Sequence, residues 1–92
     1  MSAENDTQDE VIEFPLVFPL KIMGRNSETF VDHATRLVAQ HTNGEPPRHI
    51  GARESSNGKF LSVTVEITAT SRAQLDAIYQ TLTDDAEVVM AL

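Results

Sequence analysis

The residues with the widest chemical use in this sequence are three histidines, His33, His41 and His49. His33 and His41 are eight positions apart, which on one helix separates them by about 12 Å along the axis at ~1.5 Å per residue. One ion cannot bind both imidazoles at that separation. His49 lies beyond a loop that contains two adjacent prolines. The spacing therefore predicts packed or solvated imidazoles, and we expect neither a metal site nor a cofactor.

The hydroxyl and carboxyl groups also lack a catalytic arrangement. A serine nucleophile needs a base beside it in a sheltered cleft, whereas the serines fall in a turn, on an exposed strand face and at a helix cap: Ser55, Ser56, Ser62 and Ser71. The adjacent acids Asp84 and Asp85 follow a helix, where they are typical of a turn. Gly24 stands alone, so no glycine-rich phosphate loop is predicted. We expect a protein that is not an enzyme.

Composition narrows the class further. The chain has 92 residues and no cysteine, which allows one modest core and excludes disulfides and thiolate chemistry. Residues 1–13 hold five acids and no base, so −5 of the net charge of −7 belongs to this segment. We predict that residues 1–13 form a disordered acidic leader and that residues 14–92 form one domain.

Charge and hydropathy also bear on location and partners. The N-terminal acids do not suit a signal peptide, which needs bases, and no apolar run approaches the ~20 residues of a membrane span. We therefore expect a cytoplasmic protein without a membrane partner. Residues 14–92 carry a net charge of only −2, too little to create a field that gathers nucleic acid. Nucleic-acid binding is accordingly disfavoured.

The segment from Asn57 to Thr70 is the clearest structural element. Alternate residues from Leu61 to Ala69 are apolar and most of the intervening ones are polar, which predicts a long strand with one buried face. The Asn57-Gly58 pair in front of it is typical of a type I′ hairpin turn, because both residues tolerate a positive φ. The strand before that turn, residues 48–55, is short and charged, as edge strands are.

Two amphipathic stretches predict the helices that cover the buried face. The first, residues 28–41, follows a predicted cap at Asn26 or Ser27 and has an apolar stripe at helical spacing: Phe30, Ala34, Leu37, Val38 and His41. The second begins at Ser71, and Gln74 completes a capping box. Its apolar stripe consists of Leu75, Ile78, Tyr79 and Leu82.

Two further strands complete the pattern. The first strand contains Pro19, which cannot donate to a central ladder, so its paired part is predicted to begin there and to end at Gly24. The last strand covers residues 87–92, and alternation places Val88, Met90 and Leu92 on one face.

The resulting order, β-α-β-β-α-β, predicts the fold class. Right-handed crossovers leave room for one strand between each parallel pair, and the hairpin makes the middle two strands neighbours. We predict an α+β, ferredoxin-like, two-layer sandwich with an antiparallel sheet in the order 4-1-3-2 and both helices on one face.

Four strings of this sequence resemble the YbeD-like family of small bacterial proteins: FPLVFPLKIMG, SSNGKFLSVTVEITATS, QLDAIYQTL and VVMAL. The similarity extends from Phe14 to Leu92, so only the acidic leader lies outside it. The resemblance implies a ferredoxin-like fold similar to that of ACT regulatory domains, which bind amino acids and related small ligands between paired modules. It implies no catalytic residues.

One candidate site is the side of the predicted sheet that the helices leave open. Met23, Phe60, Thr64 and Val89 would form a partly apolar surface there. Such a surface suits contact with another protein or with a second copy of this chain, although exposed apolar atoms are also normal on proteins. The alternative function is an RNA-binding module in which bases stack on Phe60, but the first strand offers no second aromatic ring.

The second candidate site is the turn formed by Gly24, Arg25, Asn26 and Ser27. Free N–H groups and the helix dipole at a helix start favour a small anionic ligand such as a carboxylate, and the resemblance to ACT domains implies ligand binding at the corresponding turn. The competing interpretation is that the glycine only permits a tight exit from the strand. Together the two sites predict a regulatory or adaptor domain that acts through protein contact, with a small anion as a further prospect.

Overall fold

The computed structural model describes residues 12–92, so the predicted acidic leader lies outside the described residues except for Ile12 and Glu13. Six elements follow one another: β1 (Leu16–Arg25), α1 (Phe30–Ala39), β2 (Arg48–Glu54), β3 (Phe60–Ala69), α2 (Arg72–Asp84) and β4 (Val88–Ala91). The strands form one antiparallel sheet in the order β2-β3-β1-β4. This is the predicted order, read from the other edge, and the ferredoxin-like α+β sandwich is confirmed.

The core lies between one side of the sheet and the two helices. β3 pairs with β1 over ten residues, from Leu16 opposite Ala69 to Arg25 opposite Phe60. Along β3 every second side chain from Leu61 to Ala69 is buried, and the intervening ones are half-buried. The helices contribute the predicted apolar stripes, of which these residues are buried: Phe30, Ala34, Leu37, Val38, Leu75, Ile78 and Leu82.

β1 begins earlier than predicted, because Pro19 occupies a position where its missing N–H breaks no pairing. The N–H and C=O of Lys21 bond to Leu92 at 3.0 and 2.8 Å, so Lys21 and, two residues earlier, Pro19 direct their backbone groups to the β4 side. β4 does not extend alongside Pro19. The ladder to β3 therefore continues back to Leu16 without a gap.

The start of α1 also differs from the prediction. The helix begins at Phe30 after Thr29, which makes no side-chain cap bond. The side-chain amide of Asn26 instead donates to the carbonyl of Gly58 at 2.9 Å, and its backbone N–H donates to that of Lys59 at 2.9 Å. Asn26 therefore fastens the β1–α1 turn to the β2–β3 hairpin and does not cap the helix.

The hairpin itself is present, but its turn is not type I′. Gly58 has φ +75°, whereas Asn57 does not have a positive φ. The N–H of Gly58 donates to the carbonyl of Ser55 at 2.9 Å, and the side-chain oxygen of Asn57 accepts from the N–H of Lys59 at 3.0 Å. This is a type I turn followed by a left-handed glycine.

A β-bulge in β4 reverses part of the predicted facing of that strand. Val88 lies opposite Gly24 and Met90 lies opposite Met23, which leaves Val89 as an extra residue. Val88 and Ala91 pack against the core. The side chain of Met90, which lies opposite Met23, is on the side of the sheet away from the helices. The prediction that Val88 and Met90 share a face is therefore wrong.

Candidate functional site

The side of the sheet opposite the helices, here called the open face, has Met23 at its centre. Met23 lies between Ser62 of β3 and Met90 of β4. Phe60 and Thr64 lie on the same face, because they alternate with the buried residues of β3. Met23, Phe60 and Thr64, which the sequence assigned to one interaction face, are half-buried and share this surface.

Val89, the fourth residue assigned to that face, has a different position. It is the extra residue of the β4 bulge and its side chain is 59% exposed. The apolar contribution of β4 to the open face comes from Met90 and Leu92, which line a concavity with Met23. Composition and alternation do not reveal a bulge, since it depends on how β4 pairs with β1.

The open face is concave, with three adjoining hollows that all include Ser62. The hollow beside Phe60 and Arg53 has a volume of about 420 Å³, and the one across Gly51 and Thr64 about 290 Å³. The third, about 210 Å³, lies between Met23 and Leu92. Shared lining residues join the three into one shallow surface that crosses all four strands.

This surface is basic as well as apolar. Register and alternation place four of the seven bases of the chain on it: Lys21, Arg25, Arg48 and Arg53. Two acids accompany them among the described residues: Glu66, which lies 3.5 Å from Arg48, and Glu54 at the end of β2, which lines the hollow beside Phe60 and Arg53. No ion pair within residues 12–92 involves the other three bases. Sequence reasoning missed this cluster, although counting the charges at outward strand positions would have revealed it.

The second predicted site, Gly24 to Ser27, is occupied largely by the protein itself. A Cβ on Gly24 would overlap the ring of Phe30 and approach the carbonyl oxygen of Glu87 to 2.5 Å. Asn26 is bonded to the hairpin, and the hydroxyl of Ser27 lies 3.4 Å from that of Thr29. Arg25 and Ser27 are exposed, and the register places Arg25 on the open face. The structure does not bring these four residues together around a hollow of the kind found on the open face.

An imidazole–carboxylate contact on the helix side was not predicted. Nε2 of His33 lies 2.9 and 3.0 Å from the two carboxylate oxygens of Asp85 and 3.8 Å from a carboxylate oxygen of Glu87. Burial on its own would raise the pKa of Asp85, but the hydrogen bond from His33 and the backbone N–H groups of Glu87 and Val88 hold that pKa below its usual value. The contact joins α1 to the turn before β4.

The other histidines have separate surroundings. Nε2 of His41 lies 2.7 Å from the hydroxyl of Thr81, and the carbonyl of His41 accepts from the side-chain amide of Gln74 at 2.9 Å. His49 is exposed on β2. In the described part of the chain no three histidine or acidic residues are placed to hold a metal ion. None of its helices has the length and hydropathy needed to cross a membrane.

A family model and the curated relatives assign this chain to the same family. The family described as "Protein of unknown function (DUF493)" matches residues 9–92. A UPF0250 protein of Chromobacterium violaceum is 46% identical over 88 residues, which is 96% of this chain and 99% of the relative. A UPF0250 protein of Nitrosomonas europaea is 40% identical over 86 residues, covering 94% of this chain and 99% of that one.

Solved structures agree on the fold. The solution structure of HP0495 from H. pylori has a TM-score of 0.72 at 20% identity and covers 88% of this chain and 85% of its own. The C-terminal domain of MgtC from Mycobacterium tuberculosis has a TM-score of 0.56 at 13% identity and covers 88% and 87%. At these identities the likeness concerns the fold alone. With the family match over nearly the whole chain, the protein belongs to the bacterial DUF493 family, the UPF0250 or YbeD-like proteins of unknown function.

Proposed function

We propose that this protein is a non-enzymatic adaptor or regulatory domain that acts by protein contact through the open face. The observation that carries the proposal is the uncovered apolar centre formed by Met23, Phe60 and Met90 in a concave surface. The helices of the same chain cover only the other side of the sheet. Apolar concave surfaces of this kind are typical of interaction sites.

The side chains at this centre suit a protein partner. Methionine is flexible and polarisable, so Met23 and Met90 can adapt to the shape of an incoming apolar residue. Four strands about 4.8 Å apart and up to ten residues long offer on the order of 500 Å² of surface. That is below the ~800 Å² per partner of a standard stable interface, so the proposed contact is a transient one.

The small-anion prospect at Gly24 to Ser27 receives less support. The space above Gly24 is taken by Phe30, and the Asn26 amide already has a partner in the hairpin. Titration of acetate, succinate and single amino acids against the backbone amide signals of residues 24–31 tests it. Saturable movement of those signals would establish the ligand, and signals that stay in place would remove it.

Single-stranded RNA is the second candidate, because the lysine and arginine side chains of the open face suit a phosphate backbone. Phe60 is a half-buried ring that lies opposite Arg25. However, RNA-binding sheets stack two or three bases on rings of neighbouring strands, and Met23 and Met90 stand where further rings would be needed. The face therefore supports protein contact better than base stacking.

Site-specific photo-crosslinking in living bacterial cells tests the proposal. A benzoylphenylalanine at Thr64, in the middle of the open face, is compared with one at Gln40, which is exposed at the end of α1. We expect light-dependent protein adducts from position 64 and none from position 40. Replacing Met90, which is 48% exposed, by serine in the Thr64 variant should reduce those adducts several-fold.

The fold of each variant is checked by its amide NMR spectrum before the comparison. Two results would show that the open face is not the contact surface. One is an equal yield of adducts at both positions, and the other is a yield at position 64 that Met90→Ser does not reduce. RNA adducts in place of protein adducts would favour the second candidate.

A further inference from the structure

We propose that the partner of the open face is an acidic protein segment that also carries apolar side chains. This inference rests on the proposed function, since it names the chemistry of the partner for that same surface. The apolar residues of the segment would pack on Met23 and Met90, and its carboxylates would pair with the bases around them.

The geometry of the bases supports this assignment. Lys21 and Arg25 lie two residues on either side of Met23 on β1, which places each of them ~7 Å from it along the strand on the same face. Arg53 lies in the same row, beyond Ser62 and two strands away, or ~10 Å from Met23. An apolar centre is thus surrounded on three sides by bases that make no ion pair within the described residues.

The rest of the molecule is acidic, which makes the open face the most favourable surface for an acidic partner. The open face carries four bases and two acids, Glu54 and Glu66, whereas the remaining residues of 12–92 carry eight acids and three bases. Seven of these eight acids lie on the helices or in the loops that adjoin them, so the repulsion of an acidic partner is weakest at the open face. Such a separation orients an approaching acidic segment toward the open face and raises its association rate.

Two other occupants fit the observations less well. A second copy placed face to face would oppose three unpaired bases on each side, and juxtaposed like charges disfavour that pairing. The leader of the same chain is acidic, but Ile12 and Phe14 line a hollow with Leu75 and Tyr79 of α2. The chain therefore approaches β1 on the helix side, and residues 1–11 include only three apolar residues, Met1, Ala3 and Val11.

Amide NMR titration of the full-length protein with designed peptides tests the inference. The probes are three 12-residue peptides: one with two glutamates for every leucine, one with lysine in place of glutamate, and one with serine in place of leucine. A ten-residue oligouridylate is the fourth probe. We expect the first peptide to move the amide signals of Met23, Ser62 and Thr64, and the other three to move them at least several-fold less at equal concentration.

Matched variants distinguish the effect of a base on the open face from the effect of the net charge of the protein. Arg53→Gln removes one base from the open face, and Arg36→Gln removes one from α1, where it pairs with Asp32. We expect Arg53→Gln and Lys21→Gln each to weaken binding of the acidic peptide roughly two- to fivefold, as for single exposed ion pairs, and Arg36→Gln to leave it unchanged. Raising the salt from 0.1 to 1 M shortens the Debye length from ~10 to ~3 Å and should also weaken binding.

Each other outcome has a definite meaning. If the lysine peptide moves the same signals as strongly, the open face remains a contact surface but the acidic partner is wrong. If no peptide moves them, the acidic partner is wrong, and if the crosslinks at Thr64 are absent as well, both proposals fail. Stronger shifts with the oligouridylate would assign the face to RNA. Shifts that appear on concentrating the protein alone, or on neutralising Glu4, Asp6, Asp9 and Glu10, would assign it to a second copy or to the leader.

Discussion

Gly24 is the residue at which backbone and core approach each other most closely. It is buried, and the ring of Phe30 and the carbonyl of Glu87 occupy the space that a side chain would need. We expect Gly24→Ala to lower the free energy of unfolding by about 2–3 kcal/mol, because a well-packed site must shift to admit the methyl group. Urea denaturation followed by circular dichroism measures the change.

Gly51 on the edge strand is the control for that substitution. An ideal Cβ on Gly51 meets no atom within 4 Å, and its φ is not in the left-handed region. Gly51→Ala should therefore leave the stability within about 0.5 kcal/mol of the wild type. Equal losses in the two variants would show that the contact between Gly24 and Phe30 is not the cause.

Asp85 gives a prediction about pH. Its pKa is lower in the folded chain than the usual value of 3.8, so its carboxylate stabilises the fold at pH values above that value, and the stabilisation is lost as pH falls through the folded pKa. Asp85→Asn should therefore lower the free energy of unfolding at pH 7, by about 1 kcal/mol on the scale of one hydrogen bond. The difference from the wild type should shrink below about pH 4.

Asp84→Asn is the matched control, because the Asp84 carboxylate is exposed and, among residues 12–92, is seen to accept from the side chain of Gln80 at 2.9 Å. Thermal unfolding of both variants between pH 3 and pH 7 gives the comparison. A difference between Asp85→Asn and the wild type that stays constant over this range would contradict the role of the ionised carboxylate.

At the scale of elements, the start of α2 combines local and distant contacts. The hydroxyl of Ser71 accepts from the N–H of Gln74 at 3.0 Å, and the side-chain oxygen of Gln74 accepts from the N–H of Thr70 at 2.7 Å. Gln74 also donates to the carbonyl of His41 beyond the end of α1. Gln74 thus accepts from Thr70 and not, as a strict capping box would require, from the cap residue Ser71, and the same side chain links the two helices.

We expect Ser71→Ala to lower the free energy of unfolding by about 1 kcal/mol, because it leaves an N–H of the first helical turn without its acceptor. Ser56→Ala, in the exposed hairpin turn, is the control and should have little effect. Urea denaturation of the two variants under one set of conditions measures both changes. A Ser56→Ala loss as large as that of Ser71→Ala would mean that the cap is not responsible.

The sequence predicts well those elements whose signal is local. The alternation from Leu61 to Ala69 and the pattern of Ser71 with Gln74 depend on neighbours within a few residues, and both predictions are confirmed. The bulge at Val89 depends on pairing with a strand more than 60 residues away. The Asn26–Gly58 and His33–Asp85 contacts join residues 32 and 52 positions apart, so no local sequence pattern predicts them.

At the scale of the whole molecule, stability should be distributed unevenly across the sheet. β1 and β3 form its middle and supply fully buried residues such as Leu20 and Val63. β2 is an edge strand on which every residue but Gly51 is exposed. We expect β2 amides to exchange with deuterium much faster than those of Leu20 and Val63, because local opening of an edge requires less disruption than unfolding of the core.

Hydrogen–deuterium exchange read by NMR at several pH values measures these rates. The amides of β1 that bond to β3 serve as the internal reference, since they report global unfolding. Exchange of β2 amides as slow as the reference would mean that the sheet opens as one unit.

The candidate site could be predicted only in part, also for a reason at this scale. Strand alternation predicts the positions of Met23, Phe60 and Thr64. The net charge of residues 14–92, only −2, conceals the bases beside them because acids elsewhere offset those bases. Net charge does not record which side of a sheet a residue occupies. The fold places Lys21, Arg25 and Arg53 on one side and most acids on the other.

Pro19 has a consequence for how this sheet meets other chains. Between Leu16 and Pro19, β1 has β3 on one side and no described strand on the other. A foreign strand that tried to add itself along this stretch would find a pyrrolidine ring where it needs a donor. The sheet thus resists the addition of a strand along this stretch of β1, which favours contact across its surface there.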